Sequence, residues 1–233
     1  MYRKNMKTQA EILIWYRRRR RFISLLVVVV CLMVWIGWYA QIPSLSSFVE
    51  HFPPMSPLSA LAAALLALVV FQPSWAPKKF LLTCAIGVGV VSFTLVIMAI
   101  VGSTDFPGTV KQIVDGSSTL ENNFAPLTPL FFSFLALVAT LQYIGRGMKF
   151  RQTITTIIIF TLYLIFIGHM TQAEYVRSFS FFSYVSIPAE VCMFLLSLAL
   201  LYREGREGIM SLLTSPTEGG IFARQLMILV LFS

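Results

Sequence analysis

The chain has 233 residues, of which 57% are apolar and only 12% are charged, and its net charge is +8. A soluble domain is about 45–50% apolar and about 25% charged. The composition therefore indicates a membrane protein and argues against a disordered chain, a disulfide-rich secreted module and a water-soluble enzyme.

The first 21 residues predict a basic segment that lies in the cytoplasm or at the membrane surface. This segment contains five consecutive arginines at 17–21. Residues 10–16 before them are either an interfacial helix or a plain extension of the first span. The apolar block 22–39 follows, and it predicts an uncleaved membrane anchor because no small-residue cleavage site comes after it.

Residues 22–233 predict one all-α polytopic transmembrane helix bundle with six complete spans and a truncated seventh. After the first block, the predicted spans are 57–71, 80–101, 127–144, 153–168 and 188–202. We expect helices, because isolated strands would leave backbone groups unpaired in lipid. The last run, 225–233, would rise only about 13 Å as a helix, which is less than half of the hydrocarbon thickness. It therefore predicts a fragment that stops inside its seventh helix.

The basic residues predict a cytoplasmic amino terminus. With this orientation, sixteen of the 18 Lys and Arg residues fall in the inner segments, and six of the ten acids fall on the outer side. This asymmetry follows the positive-inside rule. We interpret the net charge as an orientation signal with added attraction to anionic lipids, and we expect no nucleic-acid binding.

Three predicted inward-running helices begin alike, at Pro57, Pro126 and Pro188. Proline suits the first helical position, since its missing N–H leaves no intrahelical hydrogen bond unmade. The pattern predicts a leading helix followed by three Pro-started hairpin repeats. The outer loop before each proline is interpreted either as a short interfacial helix or as an aromatic anchor.

The sequence contains no catalytic or phosphate-binding motif that we recognise. We therefore predict no catalytic residue, no cofactor and no metal site. Its three cysteines, Cys31, Cys84 and Cys192, lie in apolar runs and are interpreted as small buried hydrophobic residues. Thr140 and Gln142 are predicted to form hydrogen bonds between helices.

A candidate ligand pocket is predicted on the outer side from His169, Arg177 and Glu190. Glu190 is the acid nearest to the hydrocarbon, and ionisable groups inside a membrane are costly and usually functional. The alternative for Glu190 is that it only complements the dipole of its helix.

Residues 194–224 combine an apolar helix, a basic turn, an apolar stretch that ends in Thr-Ser, and a Gly-Gly pair before an arginine. This segment resembles the end of the multi-span amino-terminal region of bacterial sensor histidine kinases and related signalling proteins. The Pro-started helices resemble the same family. The matching positions are Gly208, Ile209, Met210, Leu212, Leu213, Thr214, Ser215, Gly219, Gly220 and Arg224. We interpret the segment either as a candidate inner coupling segment or as a plain interfacial anchor. The candidate coupling residues are Gly208, Met210, Leu213, Thr214, Gly219, Gly220 and Arg224.

The resemblance implies a membrane-embedded sensory or anchoring input domain of a bacterial signal-transduction protein. It implies a multi-pass protein of the bacterial inner membrane, with a homodimer, the lipid bilayer and a downstream cytoplasmic signalling module as expected partners. The output domains are outside this sequence, so no enzymatic residue is carried over. The alternative is a small-solute transporter or channel built from repeated helical hairpins, although the scarcity of charges at the midplane argues against ion coupling.

Overall fold

The computed structural model describes residues 2–48, 53–101, 127–170 and 185–203. Every regular element in these residues is an α-helix, as predicted. In chain order the helices are α1 (Tyr2–Tyr39), α2 (Pro43–Ser47), α3 (Pro57–Phe71), α4 (Lys78–Val101), α5 (Leu127–Ile144), α6 (Met148–Met170) and α7 (Ile187–Arg203). The basic segment and the first apolar block are thus parts of one continuous helix.

Four of the described helices contain segments that are long and apolar enough to cross a membrane. These segments are Arg17–Tyr39, Lys78–Met98, Leu127–Ile144 and Met148–His169. The 15 residues of α3 rise only about 22 Å, short of a hydrocarbon core of about 30 Å. The 17 residues of α7 rise about 26 Å on the same scale. The prediction of a membrane protein is confirmed by these four segments.

Side-chain contacts define two ends of the helix bundle. At one end Arg21 of α1 lies over the Phe71 ring of α3, with 5.9 Å between its Cζ atom and the ring centroid. Arg203 of α7 lies over the Tyr143 ring of α5 at the same end, with a distance of 4.6 Å. We call this the basic end. The far end contains the last turn of α1 and the first turns of α3 and α7.

Helix α7 lies at the centre of the bundle. It packs against α1, α3, α5 and α6, and most of its residues are buried. Helix α4 packs mainly on α5 and α3, and it leaves Val90 and Phe93 exposed. Exposed apolar side chains are also frequent on α1 and α6. This distribution fits a bundle whose outer surface contacts lipid.

The connection after α1 folds back onto that helix. Leu45 and Ser46 pack closely against Gly37. A Cβ atom added to Gly37 would lie only 2.8 Å from the Leu45 Cβ. The indole Nε1 of Trp38 donates a hydrogen bond to the Met55 carbonyl oxygen at 2.8 Å. Helix α2 therefore confirms a short helix in the first predicted outer loop. The other two loops lie outside the described residues.

The starts of two helices follow from their sequences. Helix α3 begins at Pro57, and the Ser59 N–H donates to the Oγ of the preceding Ser56 at 3.1 Å, which is a standard N-cap. Helix α7 begins one residue before Pro188. Pro126, which was predicted to start the second repeat, lies outside the described residues.

Candidate functional site at the two ends of helix α7

A buried pair of ionisable side chains joins α6 to α7 at the far end. Glu190 lies in the first turn of α7 and His169 in the last turn of α6. His169 Nδ1 is 3.2 Å from Glu190 Oε2, and the two side chains are only 7% and 4% exposed. When Glu190 is ionised its carboxylate can only accept, and the imidazole Nδ1–H is then the donor of this hydrogen bond.

The two oxygens of Glu190 have different surroundings. Oε2 is paired with His169, whereas no hydrogen-bond donor in the described part of the chain reaches the buried Oε1. A buried carboxylate oxygen with spare capacity can accept a hydrogen bond from a ligand that carries a donor. Burial next to His169 also means that Glu190 does more than complement its helix dipole.

The structure therefore brings together two of the three residues of the predicted outer pocket. His169 and Glu190 are in direct contact, although 21 residues separate them in sequence. Arg177 lies outside the described residues. The whole candidate inner coupling segment, from Gly208 to Arg224, also lies outside them.

A second polar cluster fixes the basic end of α7. The guanidinium of Arg203 stacks on Tyr143. With the Gln72 amide oxygen facing Arg203, that oxygen accepts hydrogen bonds from both terminal guanidinium nitrogens at 2.8 and 2.9 Å. The Tyr143 hydroxyl donates to the Val69 carbonyl oxygen at 3.0 Å. These contacts connect the carboxyl-terminal ends of α3, α5 and α7.

Sequence reasoning missed Gln72 and Tyr143 as partners of Arg203. Gln72 ends α3 with a left-handed backbone, φ +51°, which a non-glycine residue adopts uncommonly. The sequence signal for Gln72 was its position, because it is a polar residue that ends an apolar run and precedes a proline-rich turn. Gln142 donates to the Leu200 carbonyl oxygen of α7 at 3.0 Å, as predicted. The same prediction was wrong for Thr140, whose hydroxyl donates to Ala136 within its own helix.

Arg151 is buried although it was assigned only to the basic inner turns. Its guanidinium donates to the carbonyl oxygens of Leu141 and Arg146, at 2.9 and 2.7 Å. The Leu141 oxygen also accepts from the backbone N–H groups of Gly145 and Arg146. Carbonyls at the carboxyl-terminal end of a helix carry partial negative charge, so a cation stabilises them. Gly145 and Gly147 form this turn with φ of +75° and +67°, a conformation that costs glycine little.

Two of the cysteines meet between α1 and α7. The thiols of Cys31 and Cys192 lie close together, and both residues are buried and form no disulfide. The prediction that cysteines fill the core is confirmed for these two. Cys84 is half-buried. In the described residues no group of three His, Cys, Asp or Glu side chains could hold a metal ion.

No protein-family model, curated protein or solved structure matches this chain. The site must therefore be interpreted from its own geometry. That geometry consists of one central helix with a buried His169–Glu190 contact at the far end and an arginine held by two neighbouring helices at the basic end.

Proposed function

We propose that this chain is a membrane-embedded sensory or anchoring input domain of a bacterial signal-transduction protein of the histidine kinase type. It crosses the inner membrane with six spans, three of its hairpins are Pro-started repeats, and its amino terminus is cytoplasmic. It acts as a homodimer and passes its signal to a cytoplasmic signalling module.

One observation carries this proposal: α7 has a specific polar contact at each of its ends. At the far end Glu190 contacts His169 of α6. At the basic end Arg203 contacts Tyr143 and Gln72. Because most of the buried side chains of α7 are apolar, the contacts at its two ends help to set its position relative to its neighbours.

A change at the far end can reach the basic end through α7 as a rigid element. A ligand that donates to Glu190 Oε1, or that replaces His169 as its partner, would alter how the first turn of α7 packs on α6. Helices shift by small translations or rotations between discrete packings. The predicted coupling segment, 208–224, follows α7 directly and would transmit the shift to the output module.

The test is an in-frame fusion of residues 1–233 to the catalytic core of a reporter histidine kinase. Glu190→Gln removes the charge and keeps the shape, and His169→Gln removes the partner. We expect each to change basal reporter activity by about fivefold or more, the lower range of allosteric coupling. Thr161→Ala is the matched control, because Thr161 lies on α6 and its hydroxyl bonds only within that helix.

Equal amounts of each fusion in the membrane must be verified before activities are compared. Reporter activity that is indifferent to both variants, and to exchange of the loops 40–56, 102–126 and 169–187, would reject a sensory role.

The buried pair also favours the alternative, a small-solute transporter or channel. Buried ionisable groups in membrane proteins often mark a substrate or ion pathway, and Glu190 is only 4% exposed. Solute flux into proteoliposomes that contain this chain alone would support transport. Loss of that flux in Glu190→Gln, with Thr161→Ala unaffected, would assign the pathway to this pair.

A further inference from the structure

The basic end of the bundle carries an unusual arrangement of arginines on α1. Arg17, Arg20 and Arg21 follow the i, i+3, i+4 spacing that places side chains on one face of a helix. The same face continues through Ser24 and Val27, which are buried against the bundle. Of these three arginines Arg20 is half-buried, whereas Arg17 and Arg21 are exposed. Arg18 lies outside this i, i+3, i+4 series and is also exposed.

Four positive charges meet at this point. The guanidinium of Arg20 interacts electrostatically with those of Arg203, Arg17 and Arg21. It is partly buried, and no hydrogen-bond acceptor in the described residues reaches its buried Nε atom. Glu190 is the one carboxylate among the side chains that the structure describes, and it lies at the far end. Like charges repel at close range, so this cluster is suited to an anion.

The cluster is also preorganised. Arg203 is held from two sides, by the ring of Tyr143 and by the amide oxygen of Gln72, while Arg21 packs over Phe71. Arg20 is close enough to Arg203, Arg21 and Tyr143 to interact with them electrostatically, and its buried Nε has no acceptor in the described residues. A planar guanidinium with free donors matches the oxygens of a phosphate group.

We propose that Arg17, Arg20, Arg21 and Arg203 form a binding site for a phosphate group between α1 and α7. Arg17 is the first residue of the segment that is apolar enough to cross the membrane, so the site lies at the depth of lipid headgroups. The phosphate belongs either to an anionic lipid headgroup or to a soluble anion. Basic pockets between transmembrane helices bind such headgroups.

The experiment measures binding to the full chain, purified in a neutral detergent, by native mass spectrometry. One arm adds phosphatidylglycerol, a second adds zwitterionic phosphatidylcholine, and a third adds inorganic phosphate alone. We expect saturable binding that favours phosphatidylglycerol over phosphatidylcholine. If inorganic phosphate competes with phosphatidylglycerol, the phosphate group alone is sufficient for binding. If it does not compete, the site is assigned to a lipid headgroup.

Arg20→Gln should weaken phosphatidylglycerol binding by about tenfold or more, the loss expected for one charged hydrogen-bonding partner. Arg20→Lys keeps the charge but loses the planar fork, so its affinity should be intermediate. Arg18→Gln is the matched control and should weaken binding less than about threefold, since only diffuse attraction is lost. Equal effects of Arg20→Gln and Arg18→Gln, or no preference for phosphatidylglycerol and no binding of phosphate, would overturn the proposal.

Discussion

At the scale of single residues, the His169–Glu190 contact buries two ionisable side chains. Removing a charge from water costs several kcal/mol even after relaxation, and only a well-placed partner compensates for this. Here the partner is an imidazole at 3.2 Å, and the amino-terminal turn of α7 adds a favourable dipole. The pair is therefore vulnerable to loss of either side chain.

Replacing His169 by alanine should lower the free energy of unfolding by about 3–5 kcal/mol, because Glu190 would remain buried without its partner. The measurement is denaturant unfolding in mixed micelles. Thr161→Ala on the same helix should change stability by less than about 0.5 kcal/mol. Adding Glu190→Gln to His169→Ala should recover part of the loss, and a His169→Ala variant as stable as the Thr161 control would contradict the ion pair.

Replacing Gly37 or Gly87 by alanine should change the stability of the bundle in opposite directions. At Gly37 the added Cβ would meet Leu45 Cβ at 2.8 Å and the Ser46 backbone nitrogen at 3.0 Å, so α1 and α2 must separate, at a cost of about 1–3 kcal/mol. At Gly87 nothing lies within 4 Å, and alanine should stabilise α4 by up to about 1 kcal/mol. Melting temperatures of both variants give the comparison, and equal shifts would be evidence against the close contact at Gly37.

At the scale of elements, two interactions define how neighbouring helices meet. The α5–α6 turn is closed by glycines in left-handed conformations and by the buried guanidinium of Arg151. Helices α1 and α7 also meet where Cys31 lies next to Cys192, two residues that are 161 positions apart in the sequence. Each interaction can be tested by replacing side chains one at a time.

Arg151→Gln should destabilise the bundle by about 1–3 kcal/mol, because two carbonyl oxygens at the end of α5 lose a charged donor. Arg146→Gln in the same turn is the control of equal charge change, since the side chain of Arg146 is exposed. Unfolding free energies of the two variants would be compared. Equal stabilities would show that Arg151 serves only as a surface charge.

Oxidation should link α1 to α7 within one molecule. A protease site placed within 102–126 separates Cys31 and Cys84 from Cys192. After copper–phenanthroline treatment and cleavage, the two fragments should migrate together on a non-reducing gel. Cys84→Ser should retain the link, whereas Cys31→Ser and Cys192→Ser should each abolish it. A link that survives Cys31→Ser would refute the contact between α1 and α7.

At the scale of the whole molecule, the basic end unites arginines from α1, α6 and α7 with the ends of α3 and α5. The far end holds the buried acid and the folded-back helix α2. We therefore expect the basic end to face the cytoplasm, because arginine-rich segments tend to remain on the cytoplasmic side of a membrane.

Labelling of single cysteines in whole cells should reveal this orientation. In a cysteine-free background, Tyr39→Cys at the far end should react with a membrane-impermeant maleimide added outside, because Tyr39 is 95% exposed. Lys149→Cys at the basic end should react only after the cells are permeabilised. Labelling of Lys149→Cys in intact cells, with Tyr39→Cys protected, would show that the topology is the reverse of the one expected.

The sequence by itself determined the helical, membrane-embedded class and most helix positions. Long apolar runs must form helices in lipid, since only intrahelical hydrogen bonds satisfy their backbones, and prolines and glycines mark where several of them begin and end. The burial of Glu190 was also foreseeable, because an acid beside an apolar run in a first helical turn is a local feature.

Only the tertiary structure decided which polar side chains meet. The two members of each contacting pair are far apart in the sequence: His169 and Glu190, Gln72 and Arg203, Cys31 and Cys192. Apolar helix faces of similar composition can pack against one another with several orientations and several choices of neighbour. A local pattern therefore does not specify these pairs, whereas the packing of α7 against its neighbours on all sides does. The same packing places Arg20 beside Arg203, so the proposed phosphate site is a property of the assembled bundle.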